Sequence, residues 1–250
     1  MSDLRYFDAN VMAGRPRKRP GAPGWEPKPI GDLLDEFGIH EALVRHIESR
    51  EAAPSWGNER VLEAVRGDDR LHPVWAALPH HTGEMPPPEA LCRRMAEAGV
   101  RAVGLYPRTH AWSLEPWCAG PLLAAFERRR VPVLLDQDEA SWSDIAAVLA
   151  AYPDLRLVLT DGAYRNARLL YPLLERFEHL HIEISGLQQH RGIDDLARRG
   201  WAGRVLFGSR MPLYTPGSAL AAVAYADVSE AARALIAGGT LRRLIEEADL

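Results

Sequence analysis

Cysteine is scarce in this 250-residue sequence, and long hydrophobic runs are missing. The two cysteines, Cys92 and Cys118, provide no disulfide framework. No stretch is apolar over the length that a bilayer requires, so we expect no membrane partner. Residues 1–5 contain no apolar signal core, which makes the cytoplasm the default location. The net charge of −4 gives no reason to expect a nucleic-acid partner.

Two common catalytic motifs are missing as well. The first strand-to-helix turn carries no Gly-x-Gly-x-x-Gly, which argues against a dinucleotide-binding fold. No Gly-x-Ser-x-Gly occurs, so a serine hydrolase of the α/β type has no support. We expect no cofactor.

What the sequence contains is a regular alternation of short apolar runs and helix-length amphipathic runs. Continuous apolar strand cores, such as residues 133–135 and 157–159, are typical of parallel strands covered on both faces. Strands are predicted at residues 5–11, 41–47, 71–78, 101–106, 131–136, 155–160, 179–185 and 204–209. Helices are predicted at residues 30–37, 56–67, 87–98, 116–130, 141–151, 165–177, 192–199 and 218–237. The pattern predicts an α/β fold, a single (β/α)8 TIM-type barrel over residues 1–250, with an open doubly wound sheet as the alternative.

Residues 13–29 interrupt this rhythm with a long loop rich in proline and glycine. Structureless loops of this length are uncommon unless they are functional or disordered. In a barrel the loop follows strand 1 and lies at the end where active sites form. Its cations could attract an anionic substrate, although a solvated loop is the simpler explanation.

Six segments carry a recognisable pattern in a fixed order. They are residues 7–14 (Phe-Asp-Ala-Asn-Val-Met-Ala-Gly), 38–44, 99–107, 131–136, 157–162 and 207–212. Together they resemble the amidohydrolase-related, metal-dependent hydrolases, which have a TIM-barrel fold. The resemblance extends over nearly the whole chain and implies hydrolysis of a C–O or C–N bond, as in a lactone or an amide.

Members of that family carry metal ligands at the ends of their strands, and this sequence departs from those positions. The histidine pair of the first strand maps to Asn10 and Met12, and the aspartate of the last strand maps to Arg210. A late histidine maps to Asp161, and a middle-strand histidine falls near Asp136 or Gln137. Asparagine and methionine are poor zinc ligands, and arginine cannot lose its proton to coordinate a metal. We therefore expect no metal centre of the usual kind.

Arg210 suggests a physical replacement for the lost metal. Its fixed positive charge could stand where the ion stood and pair with Asp136 and Asp161. Such a pair is either a structural plug or a receptor for a substrate carboxylate or phosphate. In the second case Asp161 or Asp136 would activate water, while Arg210 and Asn10 would hold the substrate or its oxyanion.

Histidines near the strand ends leave a relocated metal site open. His46 ends strand 2, and His80 and His81 follow strand 3. With Asp136 or Asp161 they could hold an ion, but adjacent histidines usually point in different directions. His46 is also a candidate for substrate binding.

Three further strand-end residues are candidates for substrate binding. Tyr106 could donate a hydrogen bond to a substrate oxygen. Ser185 and Ser209 lie in turns where many barrels bind phosphate through backbone N–H groups. In each case packing or a tight turn is the plainer explanation.

The leading prediction is a hydrolase-like barrel that binds or converts a small anionic organic molecule without a divalent metal. Two alternatives stay open. One is a non-catalytic binding scaffold on an inherited fold, and the other is a phosphate-binding barrel enzyme. The sequence also leaves a homo-oligomer open.

Overall fold

The structure is a computed structural model of the protein and describes residues 4–15, 29–162, 164–187 and 189–250. Of Tyr164 it describes the backbone only. Residues 16–28, which make up most of the predicted loop at 13–29, lie outside the described residues. Within the described residues, no helix is both long enough and apolar enough to cross a membrane.

Parallel strands form one sheet in which the spatial order follows the chain. They are β1 (Phe7–Ala13), β2 (Glu41–His46), β3 (Leu71–Ala77), β4 (Ala102–Leu105), β5 (Val133–Asp136), β6 (Leu157–Thr160), β7 (Leu180–Glu183) and β8 (Val205–Leu206). Each predicted strand overlaps one of these eight. Consecutive strands pair in parallel because a helical connection returns the chain to the same end of the sheet each time.

Helices lie between and after the strands. They are α1 (Ile30–Phe37), α2 (Ile47–Glu51), α3 (Pro54–Val65), α4 (Pro88–Glu97), α5 (Pro116–Arg128), α6 (Trp142–Ala151), α7 (Ala167–Arg176), α8 (Gly192–Arg198), α9 (Gly217–Ala224), α10 (Glu230–Ala234) and α11 (Thr240–Glu246). Three of them begin at a proline, at Pro54, Pro88 and Pro116. Proline suits that position because the first N–H of a helix has no intrahelical partner.

The C-terminal region differs from the single helix predicted at 218–237. Ser229 caps the start of α10 and separates it from α9. Gly238 and Gly239, which directly follow the predicted helix, lie in a continuous helical stretch that leads into α11. A Cβ on Gly238 would lie 2.4 Å from the carbonyl oxygen of Arg5. Glycine is therefore needed here for close packing against the start of β1 and not for a cap.

Two backbone hydrogen bonds close the sheet into a barrel. The N–H of Ala9 donates to the carbonyl of Phe207, and the N–H of Met12 donates to the carbonyl of Met211, both at 2.9 Å. Because Phe207 and Met211 follow β8, these bonds join the last strand to the first. The predicted (β/α)8 barrel is confirmed, and the open doubly wound sheet is wrong.

A bulge in β1 determines which of its side chains face inward. Between Asp8 and Val11, β1 carries one more residue than the paired segment of β2. Ala9 packs in the apolar interior, and the next residue, Asn10, bonds to side chains of β2 and β7. Bulges characteristically re-aim a side chain next to a functional site. Here the bulge brings Asn10 inside the barrel.

Apolar side chains from the strands fill the interior, and α11 covers one end of it. The strand residues are Phe7, Ala9, Leu43, Val74, Ala102, Leu134, Val158 and Leu206. Leu241, Leu244 and Ile245 of α11 pack against them. The other end of the barrel, at the carboxyl ends of the strands, is lined by polar groups.

Candidate active site

Polar side chains from five strands converge at the carboxyl ends of the barrel. Arg45 lies on β2, Asp136 ends β5 and Glu183 ends β7, and all three are almost fully buried. Asn10 lies on β1, and Asp161 directly follows β6. We call these five residues the mouth cluster. Burial of so many charged groups is costly unless they pair and bond to one another.

Arg45 contacts residues on both sides of the mouth cluster. Its Nη1 lies 2.6 Å from Oδ1 of Asp136, and its Nη2 donates to Oδ1 of Asn10 at 2.5 Å. Nη1 also lies 3.4 Å from the hydroxyl oxygen of Tyr106. The side chain is only 2% exposed. Since a guanidinium stays protonated inside a protein, Arg45 supplies a permanent buried positive charge.

Asn10 connects Arg45 to two carboxyl groups. Its Nδ2 donates to Oδ1 of Asp161 at 3.0 Å and to Oε2 of Glu183 at 2.9 Å. The amide orientation is consistent, because the oxygen faces a donor and the nitrogen faces two acceptors. Both side-chain N–H groups are thus in use. Asn10 orients Asp161 and Glu183. The sequence suggests that Asn10 holds a substrate oxyanion, but its side chain has no N–H left for that role.

Asp136 is the carboxylate with the strongest set of donors. It accepts hydrogen bonds from Arg45, from Nη1 of Arg50 at 2.9 Å and from Oγ1 of Thr160 at 2.5 Å. Burial alone would raise the pKa of Asp136, but the charges of the two arginines and these hydrogen bonds hold its pKa below the ordinary value. Asp136 therefore stays ionised and is a poor proton acceptor at neutral pH.

Asp161 and Arg210 form an ion pair near the surface. Nε of Arg210 lies 2.6 Å from Oδ1 of Asp161, and the two side chains are 28% and 11% exposed. Both residues have a left-handed backbone, with φ of +57° for Arg210 and +59° for Asp161. Such conformations are costly for residues other than glycine and concentrate at functional sites. This pair is the part of the site that a solute can reach.

The pKa of Asp161 lies close to neutrality. Burial raises the pKa of this carboxyl to about 7, and the negative charge of Asp136 adds to the shift. The positive charges of Arg210 and Arg45 act in the opposite direction. A carboxyl with such a pKa can both accept and donate a proton near pH 7.

Two more carboxyl groups are buried beside Asn10. Glu183 accepts from the backbone N–H of Ser185 and, at 2.8 Å, from its hydroxyl. Asp8 accepts from the N–H of Asn10 at 2.9 Å and of Ser209 at 3.0 Å. Burial raises the pKa of Glu183, and it raises the pKa of Asp8 to about 6. Asp8 is thus partly protonated in mildly acidic solution, and the pKa of Glu183 is shifted in the same direction.

The predicted pairing of Arg210 holds for only one of its two expected partners. The ion pair with Asp161 is present, whereas Asp136 pairs with Arg45 and Arg50 instead. The reason is the position of Arg45, which lies on β2 and reaches Asp136 across the inside of the barrel. Arg210 follows β8 and reaches only the neighbouring side of the mouth.

His46 and Tyr106 lie away from the exposed part of the site. His46 is the next residue after Arg45, so its side chain points to the opposite face of β2, where its Nδ1 accepts from the N–H of Glu48. Tyr106 is 1% exposed, and its ring packs edge-on against His110, with ring centres 5.6 Å apart. Their roles in substrate binding stay predictions that the positions of the side chains do not favour.

Ser185 and Ser209 use their backbone N–H groups within the protein. Ser185 donates to Glu183 and Ser209 to Asp8. The hydroxyl of Ser209 also accepts from the N–H of Met211 at 3.0 Å. A phosphate site at these turns would need those N–H groups, and buried carboxylates already occupy them. The arrangement therefore offers no support to the phosphate-binding alternative.

Comparison with known proteins identifies the family. The sequence profile of the family described as Amidohydrolase matches residues 14–246 of the chain. The chain belongs to the amidohydrolase family. Among curated proteins the search found no match.

Solved structures of amidohydrolase-like barrels share the fold at low identity. An uncharacterised TIM-barrel protein, Bb4693 from Bordetella bronchiseptica, has a TM-score of 0.76 and 20% identity over 98% of this chain and 99% of that one. A 2,6-dihydroxybenzoate decarboxylase from Rhizobium has a TM-score of 0.72 and 17% identity over 97% and 99% of the two chains. A dihydroxybenzoic acid decarboxylase from Polaromonas sp. JS666, with bound manganese and the inhibitor 2-nitroresorcinol, has a TM-score of 0.65 and 17% identity over 97% of each chain.

The metal that the family resemblance implies does not fit the mouth cluster. In the part of the chain that the structure describes, no group of three or more His, Cys, Asp or Glu side chains is arranged to hold an ion. Oδ1 of Asp136 and the amide oxygen of Asn10 already accept hydrogen bonds from Arg45, and Oδ2 of Asp136 accepts one from Arg50. An ion among them would lie beside a guanidinium, and two cations repel strongly where water is excluded.

His80 and His81 do not complete a relocated metal site. Their rings stack on each other, with centres 4.5 Å apart. Among the described residues, which include both histidines, no group of three His, Cys, Asp or Glu side chains is arranged to hold an ion. His80 and His81 are therefore better explained as loop residues than as metal ligands.

Sequence reasoning missed four charged residues of this region, namely Asp8, Arg45, Arg50 and Glu183. A signal for two of them was present. Arg45 interrupts the apolar run Ala-Leu-Val-Arg-His, and Glu183 interrupts Leu-His-Ile-Glu-Ile. A charged residue inside a strand that is otherwise apolar points to a buried, paired charge.

Proposed function

We propose that this amidohydrolase-family protein is an enzyme that acts on a small organic anion at the barrel mouth without a divalent metal. The observation that carries the proposal is the partly exposed pair of Asp161 and Arg210, set on two strand ends with left-handed backbones. One member of the pair can move a proton, and the other can bind an anionic group. Buried groups behind the pair hold it in place.

Arg210 is the group that we assign to anion binding. Its Nε lies 2.6 Å from Oδ1 of Asp161, and 28% of the side chain is exposed. A guanidinium binds a carboxylate through two parallel N–H donors, which fixes the direction of approach. A substrate carboxylate held there would place its neighbouring atoms beside Asp161.

Asp161 is the group that we assign to proton transfer. Its pKa of about 7 allows it to exchange protons near neutral pH, whereas Asp136 is held in the ionised form. Asn10 fixes the orientation of the Asp161 carboxyl through the 3.0 Å hydrogen bond from Nδ2. A well-placed general acid or base contributes roughly 10²- to 10⁴-fold to a rate.

Hydrolysis of a lactone- or amide-like bond is the reaction that family membership favours. In that reaction ionised Asp161 would take a proton from the attacking water. The rate should therefore rise with pH through the pKa of Asp161, about 7.

Decarboxylation of a hydroxybenzoate-like acid is the second candidate, favoured by the names of similar structures. There the carbon–carbon bond to the carboxylate breaks, CO₂ leaves, and protonated Asp161 gives its proton to the carbon that keeps the electron pair. The rate should then fall as the pH rises through about 7. The direction of the pH profile thus separates the two reactions.

The test is a substrate screen on untagged protein that has been treated with a chelator. Lactones, amides and hydroxybenzoates are first tested for binding by thermal shift, and every compound that binds is then tested for turnover. We expect Asp161→Asn to keep binding and to lose at least about 100-fold in turnover. Asp195→Asn, which alters a carboxylate of the distant α8, is the matched control and should change neither.

Two results would refute the proposal. Ligands that bind without conversion in the wild-type protein would favour a non-catalytic scaffold. Activity that disappears on chelation and returns with a divalent ion would show metal-dependent chemistry. Location in the cytoplasm, the absence of a nucleic-acid partner and the oligomeric state stay predictions.

A further inference from the structure

We infer that the guanidinium of Arg45 occupies the place of the family's metal ion and acts as a built-in cation that assembles the barrel mouth. The sequence suggested Arg210 for this part. The inference rests on the proposed function in one respect, that no divalent ion works at this mouth. Its test below needs no substrate.

The contacts of Arg45 are the first argument. The family resemblance places metal ligands at Asn10 on the first strand and near Asp136 or Gln137 on a middle strand. Arg45 bonds to Asn10 and to Asp136, at 2.5 Å and 2.6 Å. Groups that would ligate one shared ion therefore bond to one shared guanidinium, which lies in the space between them.

The position of Arg210 is the second argument. Arg210 contacts Asp161 alone among the carboxylates of the described residues, and its side chain is 28% exposed. Arg45 is 2% exposed and reaches residues of two strands other than its own. A cation that organises several strand ends has to lie among them, as Arg45 does.

The concentration of buried acids is the third argument. Three acids, Asp8, Asp136 and Glu183, are almost fully buried, and Asp161 is 11% exposed. The negative charges of Asp136 and Glu183 raise the pKa of Asp161, and that of Asp8 raises the pKa of Glu183. Carboxylates packed in this way repel unless a cation lies between them. In a metalloenzyme the ion has that task, and here a side chain with a permanent charge takes it.

Arg45 acts on the proposed reaction through Asn10 and is thus a positioning residue. Its Nη2 fixes the Asn10 oxygen, which turns the Asn10 amide nitrogen toward Asp161 and Glu183. Without the guanidinium the amide would be free to turn over. The orientation of the Asp161 carboxyl would then be lost.

A narrower explanation is that Arg45 only neutralises Asp136. The two explanations differ in what happens when the side chain is removed. If Arg45 is the cation of the whole cluster, its removal leaves several oxygen atoms facing one empty space, and another cation can bind there. A partner of Asp136 alone leaves no such site.

The experiment measures the melting temperature of Arg45→Ala with and without Mn²⁺ and, separately, methylguanidinium. We expect a lowered melting temperature that either cation raises by roughly 5 °C or more at saturation. Wild type should not respond, since its cation is covalently attached. Arg156→Ala is the matched control, because Arg156 is a buried arginine away from the mouth that bonds to Glu247, and it should not respond either.

A folded Arg45→Ala protein that responds to neither cation would overturn the inference, as would an equal response in Arg156→Ala.

If Arg45→Ala yields no folded protein, the variants Arg45→Lys and Arg45→Gln test the inference instead. The inference requires that lysine, which keeps the charge, gives folded protein and that glutamine does not. Loss of folding in the lysine variant, or equal folding of both, would overturn it. Because these results involve no turnover, they are independent of whether the proposed reaction is correct.

Discussion

The two ends of this barrel solve opposite problems with the same set of strands. At the end covered by α11, Leu241, Leu244 and Ile245 pack against apolar strand residues. At the mouth, the buried guanidinium of Arg45 bonds to Asp136 and to Asn10. Asn10 in turn bonds to Asp161 and Glu183. The first end gains stability from removing apolar surface from water, and the second spends stability on charges that an inert protein would not bury. This difference is the reason why we propose the mouth as the functional site.

Two buried arginines, Arg45 and Arg156, differ in the solvent exposure of their partners. Arg45 contacts Asp136, which is 1% exposed, whereas Arg156 contacts Glu247, which is 44% exposed. The charge of Arg45 is therefore poorly screened by water, and that of Arg156 is partly screened. Variants of these two residues provide the sharpest test of the contrast.

Removal of Arg45 should have the largest effect on stability. Arg45→Met leaves Asp136 and Asn10 without their buried partner, and we expect a loss of about 3–5 kcal/mol in the free energy of unfolding. Arg156→Met should lose about 1 kcal/mol, because its partner is solvated. Urea unfolding measures both, and equal losses would show that the two ends do not differ as described.

The pH dependence of stability should be nearly as large. The pKa of Asp161 is about 7 in the folded protein and near 3.8 when the chain is unfolded. The folded state binds this proton more tightly, so stability from Asp161 is complete below about pH 4 and is lost as the pH rises through 7, by up to about 4 kcal/mol. Asp161→Asn should remove this decline.

The control for the pH experiment is Asp195→Asn, which should show the same decline as wild type. Asp8, with a pKa of about 6, contributes a decline of the same sign in every variant. An Asp161→Asn protein whose unfolding free energy falls with pH as steeply as that of wild type would contradict the assigned pKa.

At the end covered by α11, shortening a buried apolar side chain should lower the stability and leave ligand binding unchanged. Leu244→Ala opens a cavity in the barrel interior, where Leu244 is 2% exposed, and should lose about 3 kcal/mol of unfolding free energy. Ligand affinity and the pH profile should stay as in wild type. A change in either would show that the two ends are coupled, against the separation argued above.

The smallest effect should come from Arg210, which is partly solvated. Arg210→Ala should weaken the binding of a carboxylate ligand about tenfold while leaving stability within about 0.5 kcal/mol. Arg198→Ala removes an exposed, ion-paired arginine of α8 and should leave binding unchanged. Calorimetric titration with any ligand from the screen measures both, and equal affinities would remove Arg210 from the site.

The fold could be predicted from the sequence because each strand core is a continuous apolar run bounded by helix signals. The mouth could also be located from the sequence, because polar residues such as Asp136 and Asp161 mark the ends of the apolar strand cores. The C-terminal end of the predicted helix at 218–237 is wrong because a glycine can either end a helix or allow close packing, and the sequence around Gly238 does not distinguish the two. The break before α10 is marked by Ser229, which caps that helix.

The bonding within the mouth could not be predicted in the same way. Which residue of a pair such as Arg45 and His46 faces inward depends on strand register, and the inward direction of Asn10 depends on a bulge in β1. Which arginine reaches Asp136 depends on how the barrel closes. All three depend on contacts between residues that are distant in the sequence. A shift of one residue in strand register would exchange the inward-facing and outward-facing side chains.

Metal analysis of the untagged wild-type protein tests the central claim most directly. The protein is saturated with Zn²⁺ or Mn²⁺, desalted and analysed for bound metal. If the Arg45 guanidinium is the cation of the mouth, bound metal should be far below one ion per chain for both metals. One tightly held ion per chain, lost on substitution of Asp136 or Asp161, would contradict the account.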